Sequence, residues 1–243
     1  QGAIRAEPER PGALFRALRA AGVRDVVAVG TMHRPRLRPL RFDTVALRAA
    51  PRILPLLGKG DDALLRAVAM LLEEHGFALR GIAEVAPELL APAGPLAGPA
   101  PDERALADIK RGREILAALG PLDIGQGCVV AGGLCLGVET LQGTDAMLRF
   151  VAATDPARRP EAPGVLVKAP KPGQDRRSDL PAIGPATVEG AARAGLGGIA
   201  IEAGGVIVIE RERCRALAEA AGLFIHAFAP GEAAGPGGPG SGG

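Results

Sequence analysis

Two α/β domains are predicted for this 243-residue chain, and three observations predict them. Helical segments and short apolar strand-like segments alternate along most of the sequence. A proline- and glycine-rich stretch, APELLAPAGPLAGPAP at 86–101, interrupts that alternation and marks a boundary. The second half is also richer in strand and turn signals than the first. The expected domains are 1–97 and 98–229, followed by a low-complexity tail at 230–243 that cannot build a core.

Each element follows from local pattern. Residues 11–22 read as a helix, with Leu14, Phe15 and Leu18 on one face and Gly22 in a terminating position. Val23 to Val29 reads as a short buried strand. Asp61 or Asp62 is placed to cap a helix that Gly76 closes, and Phe77 to Val85 returns to strand-like character. The stretch 86–101 is expected to hold no regular element. Asp102 caps a helix running to about Leu119, stopped by Gly120-Pro121.

Gly127 to Val130 and Leu134 to Glu139 flank Ala131-Gly132-Gly133, a plausible hairpin. Helical content returns at 144–150, and 164–168 is a short strand. A helix over 187–194 follows, then strands over 199–201 and 206–209, a helix over 211–221 and a last strand over 223–228.

Composition excludes several function classes. Twenty-nine basic and 27 acidic residues leave a net charge of only +2, and Trp and Tyr are absent. Neither a concentrated basic face nor stacking platforms for bases are indicated, so no nucleic-acid partner is expected. No run of eighteen or more apolar residues spans a membrane, and the opening QGAIRAEPERP lacks the pattern of a signal segment. A cytoplasmic location is the expectation. Cys128, Cys135 and Cys214 are odd in number and lack metal-type spacing, so buried free thiols are expected. HExxH, CxxC, GxSxG and GxGxxG are absent, and the last absence counts against a dinucleotide-dependent oxidoreductase.

The most informative stretch is KAPKPGQDRRSDLPAIGPAT, from Lys168 to Thr187. Pro170, Pro172, Pro181 and Pro185 keep helix and central strand out of it. Lys168, Lys171, Arg176, Arg177 and the amide Gln174 are donors suited to phosphate oxygens, while Asp175 and Asp179 suit a metal or a water. A solvated loop is the alternative reading of the same residues.

A second polar set comprises Asp123, Gln126, Glu139, Thr144 and Asp145, where acids, amides and glycines meet. Such oxygen donors suit a hard cation, although turn and cap roles account for each residue singly. Glu202, at the end of GIAIE, and Lys168, after VLV, occupy carboxyl ends of strands, the usual place for an α/β site.

Five motifs occur together: GDDALLRAV at 60–68, DIGQG at 123–127, VETLQGTDAML at 138–148, the Lys168–Thr187 loop, and AGLGGIAIEAG at 194–204. Together they resemble the UDP-2,3-diacylglucosamine pyrophosphatase family of lipid A biosynthesis, the type distinct from calcineurin-like metallophosphatases. The resemblance extends to about Phe228. It implies a Rossmann-like N-terminal domain and a distinct C-terminal catalytic domain. The strand and glycine turn that usually begin the former are not found at the start of this sequence.

The resemblance further implies hydrolysis of UDP-2,3-diacylglucosamine to 2,3-diacylglucosamine 1-phosphate and UMP, with water attacking the α-phosphorus. A divalent cation, Mg2+ or Mn2+, would assist. The catalytic aspartate is carried onto Asp175 or Asp179. Lys168, Lys171, Gln174, Arg176, Arg177, Gln126 and Thr144 are the expected substrate-binding residues, and Asp123, Glu139, Asp145 and Glu202 the expected metal ligands. The expected partners are the UDP-linked diacylated sugar and its lipid product, with weak peripheral association with the inner membrane and homo-oligomerisation. A non-catalytic nucleotide-sugar or lipid-binding module is the rival reading.

Overall fold

A computed structural model describes residues 3–30, 37–58 and 61–231, the side chains of 58, 61 and 62 excepted. His33, most of the tail and the expected caps at Asp61 and Asp62 lie outside the described residues and side chains. The chain divides into two compact units. Unit 1 is Gln1–Pro87 together with Gln174–Asp179, and unit 2 is Glu88–Gly173 together with Leu180–Gly243.

In unit 1, α1 (Pro11–Ala20) begins with proline at its first turn, where a missing N–H costs nothing. Strand β1 (Asp25–Val27) is only partly buried, not the buried strand expected over 23–29. Helix α2 (Thr44–Ile53) is capped by Asp43, whose carboxylate accepts from the Ala46 amide at 2.9 Å. Helix α3 (Asp61–Glu74) ends at Gly76, and the Phe77 amide turns back to the Leu72 carbonyl at 3.1 Å.

Strand β2 (Ala78–Arg80) pairs parallel with β1. The strand character expected as far as Val85 stops there, because α4 (Ile82–Val85) follows, its Gly81 amide held by Glu84 at 3.0 Å. Phe15, Ala49, Leu71, Leu72, Phe77 and Leu79 form the core of this unit.

Unit 2 is built on a six-stranded sheet ordered β3-β10-β8-β6-β4-β5. These strands are β3 (Gly94–Ala97), β4 (Gly127–Ala131), β5 (Leu134–Val138), β6 (Val165–Lys168), β8 (Gly198–Glu202) and β10 (Phe224–Phe228). The central β10, β8 and β6 run parallel, while β3 and the β4–β5 hairpin add antiparallel flanks. The segment 86–101 thus does hold regular structure, because β10 offers a free edge on which 94–97 can pair. A 3-10 turn at Pro87–Leu89 precedes it.

Gly132 and Gly133 make the hairpin turn at φ 55° and 79°, angles that side chains resist. The buried Asp108 accepts from both of their amides, at 3.0 and 2.7 Å, and so pins the turn to α5 (Glu103–Leu119). Asp102 caps that helix as expected, through the Ala105 amide at 2.7 Å.

Helix α5 packs with Cys128, Val130, Val165 and Val167 into one core. The other face of the sheet packs with α6 (Thr144–Ala152), α7 (Pro185–Arg193) and α8 (Arg211–Ala220). Sheet residues alternate between these two cores, as a pleat requires. A second small parallel sheet pairs β7 (Ala182–Ile183), inside the proline-rich loop, with β9 (Ile207–Val208).

Candidate active site

The polar centre of unit 2 stands at the carboxyl end of β6. Val165 and Val167 face α5 and Leu166 faces the opposite core, so the alternation turns Lys168 toward the α6 and α7 side. Its ammonium, on a side chain 3% exposed as a residue, donates to Thr144 Oγ1 at 2.7 Å and to the Ala182 carbonyl at 3.2 Å. Thr144, the first residue of α6, donates in turn to Glu139 Oε1 at 3.0 Å. The other oxygen, Glu139 Oε2, is buried and accepts no hydrogen bond from the described residues, although Lys168 Nζ lies 3.5 Å away.

The site is crowded from beneath. A Cβ added to Gly127 would fall 2.7 Å from Glu139 Oε2 and 3.4 Å from the Lys168 chain. Nearby in the same unit, Lys171 pairs with Asp123, which sits in the left-handed region at φ 56° after the 3-10 turn at Gly120–Leu122. Gln126 contributes its carbonyl to the Ala169 amide at 3.1 Å.

Two of the four acids expected to hold a metal are engaged with cations of the protein. Glu139 faces Lys168 and Asp123 faces Lys171, while Asp145 is exposed on α6 and Glu202 ends β8, partly buried. Among the described residues no group of three or more His, Cys, Asp or Glu side chains stands close enough to hold a metal. Asp123, Glu139, Asp145 and Glu202 thus do not fit a cation cage made by the protein alone. A magnesium-type ion that arrives with phosphates needs only one or two carboxylates.

The loop carboxylates belong to unit 1. Asp175 Oδ1 accepts from the Arg177 amide at 3.0 Å and from Arg177 Nε at 3.1 Å, and Oδ2 from Nη2 at 2.8 Å. Arg177 also reaches Glu73 on α3 at 2.8 Å. Hydrogen bonding from Arg177 holds the Asp175 carboxyl below its ordinary range, so it is ionised at neutral pH and a weak proton acceptor. The Asp179 carboxylate accepts from Gln174 Nε2 at 2.5 Å, with Gln174 itself buried. Arg176 is exposed.

Three further details were not legible in the residue pattern: the Ala182 carbonyl, the closeness of Gly127, and Glu73 as the anchor of Arg177. The thiols divide, since Cys128 and Cys214 are buried but Cys135 is exposed on the sheet edge, where a strand has no neighbour to cover it. Burial pushes the Cys128 thiol up to about 12, which makes it inert.

Fold and site together define an α/β protein whose buried lysine, at the carboxyl end of a sheet strand, is set among hydroxyl, carbonyl and carboxylate groups. Two family models match it, the LpxI N-terminal domain over residues 3–89 and the LpxI C-terminal domain over 92–226. The UDP-2,3-diacylglucosamine pyrophosphatase LpxI of Caulobacter vibrioides is 46% identical over 224 residues, which covers 91% of this chain and 80% of that protein. The chain belongs to the LpxI family.

Proposed function

We propose that this protein hydrolyses the pyrophosphate bond of UDP-2,3-diacylglucosamine, releasing UMP and 2,3-diacylglucosamine 1-phosphate with the help of Mg2+ or Mn2+. The likeness to the Caulobacter enzyme over nearly the whole chain carries this reading, and the buried Lys168–Thr144–Glu139 network agrees with it chemically. A pyrophosphate diester is doubly anionic, so its cleavage needs fixed positive charge at the phosphates and an oriented water.

Lys168 supplies the positive charge without first having to be ordered, because Thr144 and the Ala182 carbonyl already fix its ammonium. Lys171 adds a second cation, which exchanges Asp123 for a phosphate oxygen. Asp179 orients the water or accepts its proton. Asp175 keeps its charge and shapes the loop through Arg177. The cation, when bound, neutralises developing charge on the phosphate oxygens.

Incubation of the protein with UDP-2,3-diacylglucosamine tests the reading directly. UMP should appear with Mg2+ or Mn2+ and vanish after chelation. Asp179→Asn should lower turnover by roughly 10²–10⁴-fold at unchanged thermal stability, whereas Asp175→Asn should also loosen the loop. A wild-type protein that binds the substrate but releases no UMP would leave only the binding-module reading. Reaction in H2¹⁸O locates the attack: label in UMP places it at the α-phosphorus, and label in the sugar phosphate at the β-phosphorus.

A further inference from the structure

The family resemblance marks Gln174 as a substrate-binding residue, but its side chain is buried within unit 1. The residue is 9% exposed, although Gly173 before it and Arg176 and Arg177 after it lie open to solvent. A buried amide needs a hydrogen-bond partner, and Nε2 donates to Asp179 Oδ2 at 2.5 Å. A turn brings the two residues together. The Asp175 carbonyl accepts from the Ser178 and Asp179 amides at 3.1 and 3.3 Å and from Ser178 Oγ at 3.0 Å. Gly173, at φ 74°, supplies the entry bend.

The turn fixes the backbone of Asp179 but not χ1 and χ2 of its side chain. The hydrogen bond from Gln174 restricts both. A neutral amide suits that task, because it sets the direction of a carboxylate and adds no charge of its own. Asp175 shows the contrast: its carboxylate takes three hydrogen bonds from Arg177 and is a weak proton acceptor as a result. Asp179 stays partly exposed, so a bound molecule can reach it.

We infer that Gln174 is a positioning residue, which holds the Asp179 carboxylate in the direction from which it orients the attacking water or accepts its proton. The inference rests on the hydrolase reading and on the part given there to Asp179. Misplacing a reacting group by about 1 Å can cost about 10²-fold in rate, and an effect of that order is what the amide governs. Gln174 acts through Asp179 and not on the phosphates, so substrate affinity does not depend on it.

A double-mutant cycle tests it in the full chain, with UMP release from UDP-2,3-diacylglucosamine measured in Mg2+. Gln174→Met, which keeps the length and loses the amide, should lower kcat about 10–100-fold and change KM by no more than about twofold. Asp179→Ala should lower kcat roughly 10²–10⁴-fold. In the double variant the change at 174 should cost nothing further, because no carboxylate remains to be held. Thermal melting checks that each variant is folded. Should Gln174→Met not fold, Gln174→Glu, of the same shape but with an acceptor facing Asp179, takes its place and should show the same pattern. A raised KM with kcat unchanged would make Gln174 a substrate-binding group and overturn the proposal. A further loss of full size in the double variant would do the same, as would an unchanged kcat in a folded variant at 174, the mark of a merely structural role. An Asp179→Ala protein as active as wild type would also overturn it. In each of these cases wild type still releases UMP. A wild type that releases none refutes the hydrolase reading itself, and the positioning role with it.

Discussion

Unit 2 closes its core completely, with Val129, Val130, Leu166, Ile199 and Ile201 all at 0% exposure. Unit 1 does not: its best-buried described residues, Ala49 at 2% and Phe15 and Phe77 at 3%, retain some contact with solvent, and an apolar cavity of about 470 Å³ lies beside them. The reason is architectural. A six-stranded sheet with helices on both faces surrounds its central strands on every side, whereas the two three-residue strands and four helices described in unit 1, one of them only four residues long, enclose much less. The buried ion pair of Lys168 and Glu139 belongs to the tightly packed unit, where a cation is held in place. The adaptable space belongs to the looser one. At about 24 cal/mol per Å³, a fully enclosed void of that size would cost on the order of 10 kcal/mol, an upper bound comparable to the stability of a whole domain. Space on that scale is tolerable when it opens to solvent or takes a ligand.

The largest effect that sharpens this contrast is expected at Lys168. Lys168→Met leaves the half-buried Glu139 side chain without its cation, which should lower stability by up to about 3–5 kcal/mol in urea denaturation and abolish UMP release. Adding Glu139→Leu should recover most of the stability and none of the turnover. Recovery of turnover in the double variant would show that the pair serves folding alone.

A smaller effect is expected beneath the same pair. In Gly127→Ala the new methyl meets Glu139 Oε2 at 2.7 Å and must displace a carboxylate that Thr144 holds, for a loss of about 1–3 kcal/mol and a fall in turnover. An alanine accepted without cost would mean that unit 2 is less rigid than its burial indicates.

The smallest effect concerns the loop of unit 1. The folded-state value of Asp175 is lowered, chiefly by its hydrogen bond from Arg177. Its contribution to stability is therefore present above the ordinary aspartate value of 3.8 and is lost as pH falls through the lowered folded value. Melting temperature followed from neutral pH into acid should show a slight decline that Arg177→Met removes. A decline of equal size in that variant would assign it to other carboxylates.

Much of unit 2 was legible in the sequence because its signals are local. The cap at Asp102, the glycine pair of the hairpin and the apolar runs of β6, β8 and β10 each announce an element through a few adjacent residues. Unit 1 was harder to read. Helix α2 carries Pro51 within it, a residue that argues against a helix, and α4 follows β2 after a single residue, so apolar content over 77–85 looked like one strand. The strand at 94–97 was hidden for another reason: Gly94 and Pro95 argue against a strand, and only the free edge of β10 makes pairing worthwhile there.

The candidate site divides in the same way. Residue types drew attention to Lys168, Thr144, Glu139 and the loop aspartates, although solvation, turns and caps account for each of them singly, and only the joined motifs singled them out together. Which acid faces which cation was a different matter. Glu139 and Lys168 are 29 positions apart in sequence and meet because β4 lies between β5 and β6 and pairs with both. Asp123, expected among the metal ligands, pairs with Lys171, a contact that no local pattern announced.

Local chemistry, then, determined the elements, their caps and turns, the class of fold and the kinds of group available for phosphate chemistry. All of these depend on neighbours within a few residues, where helix period, strand alternation and glycine geometry operate. Only the tertiary structure decided the pairing of charges, the transfer of six loop residues to unit 1 and the apolar cavity walled by α1, α2 and α3. Each of those depends on which surfaces are apposed after folding, and a short-range pattern carries no record of that.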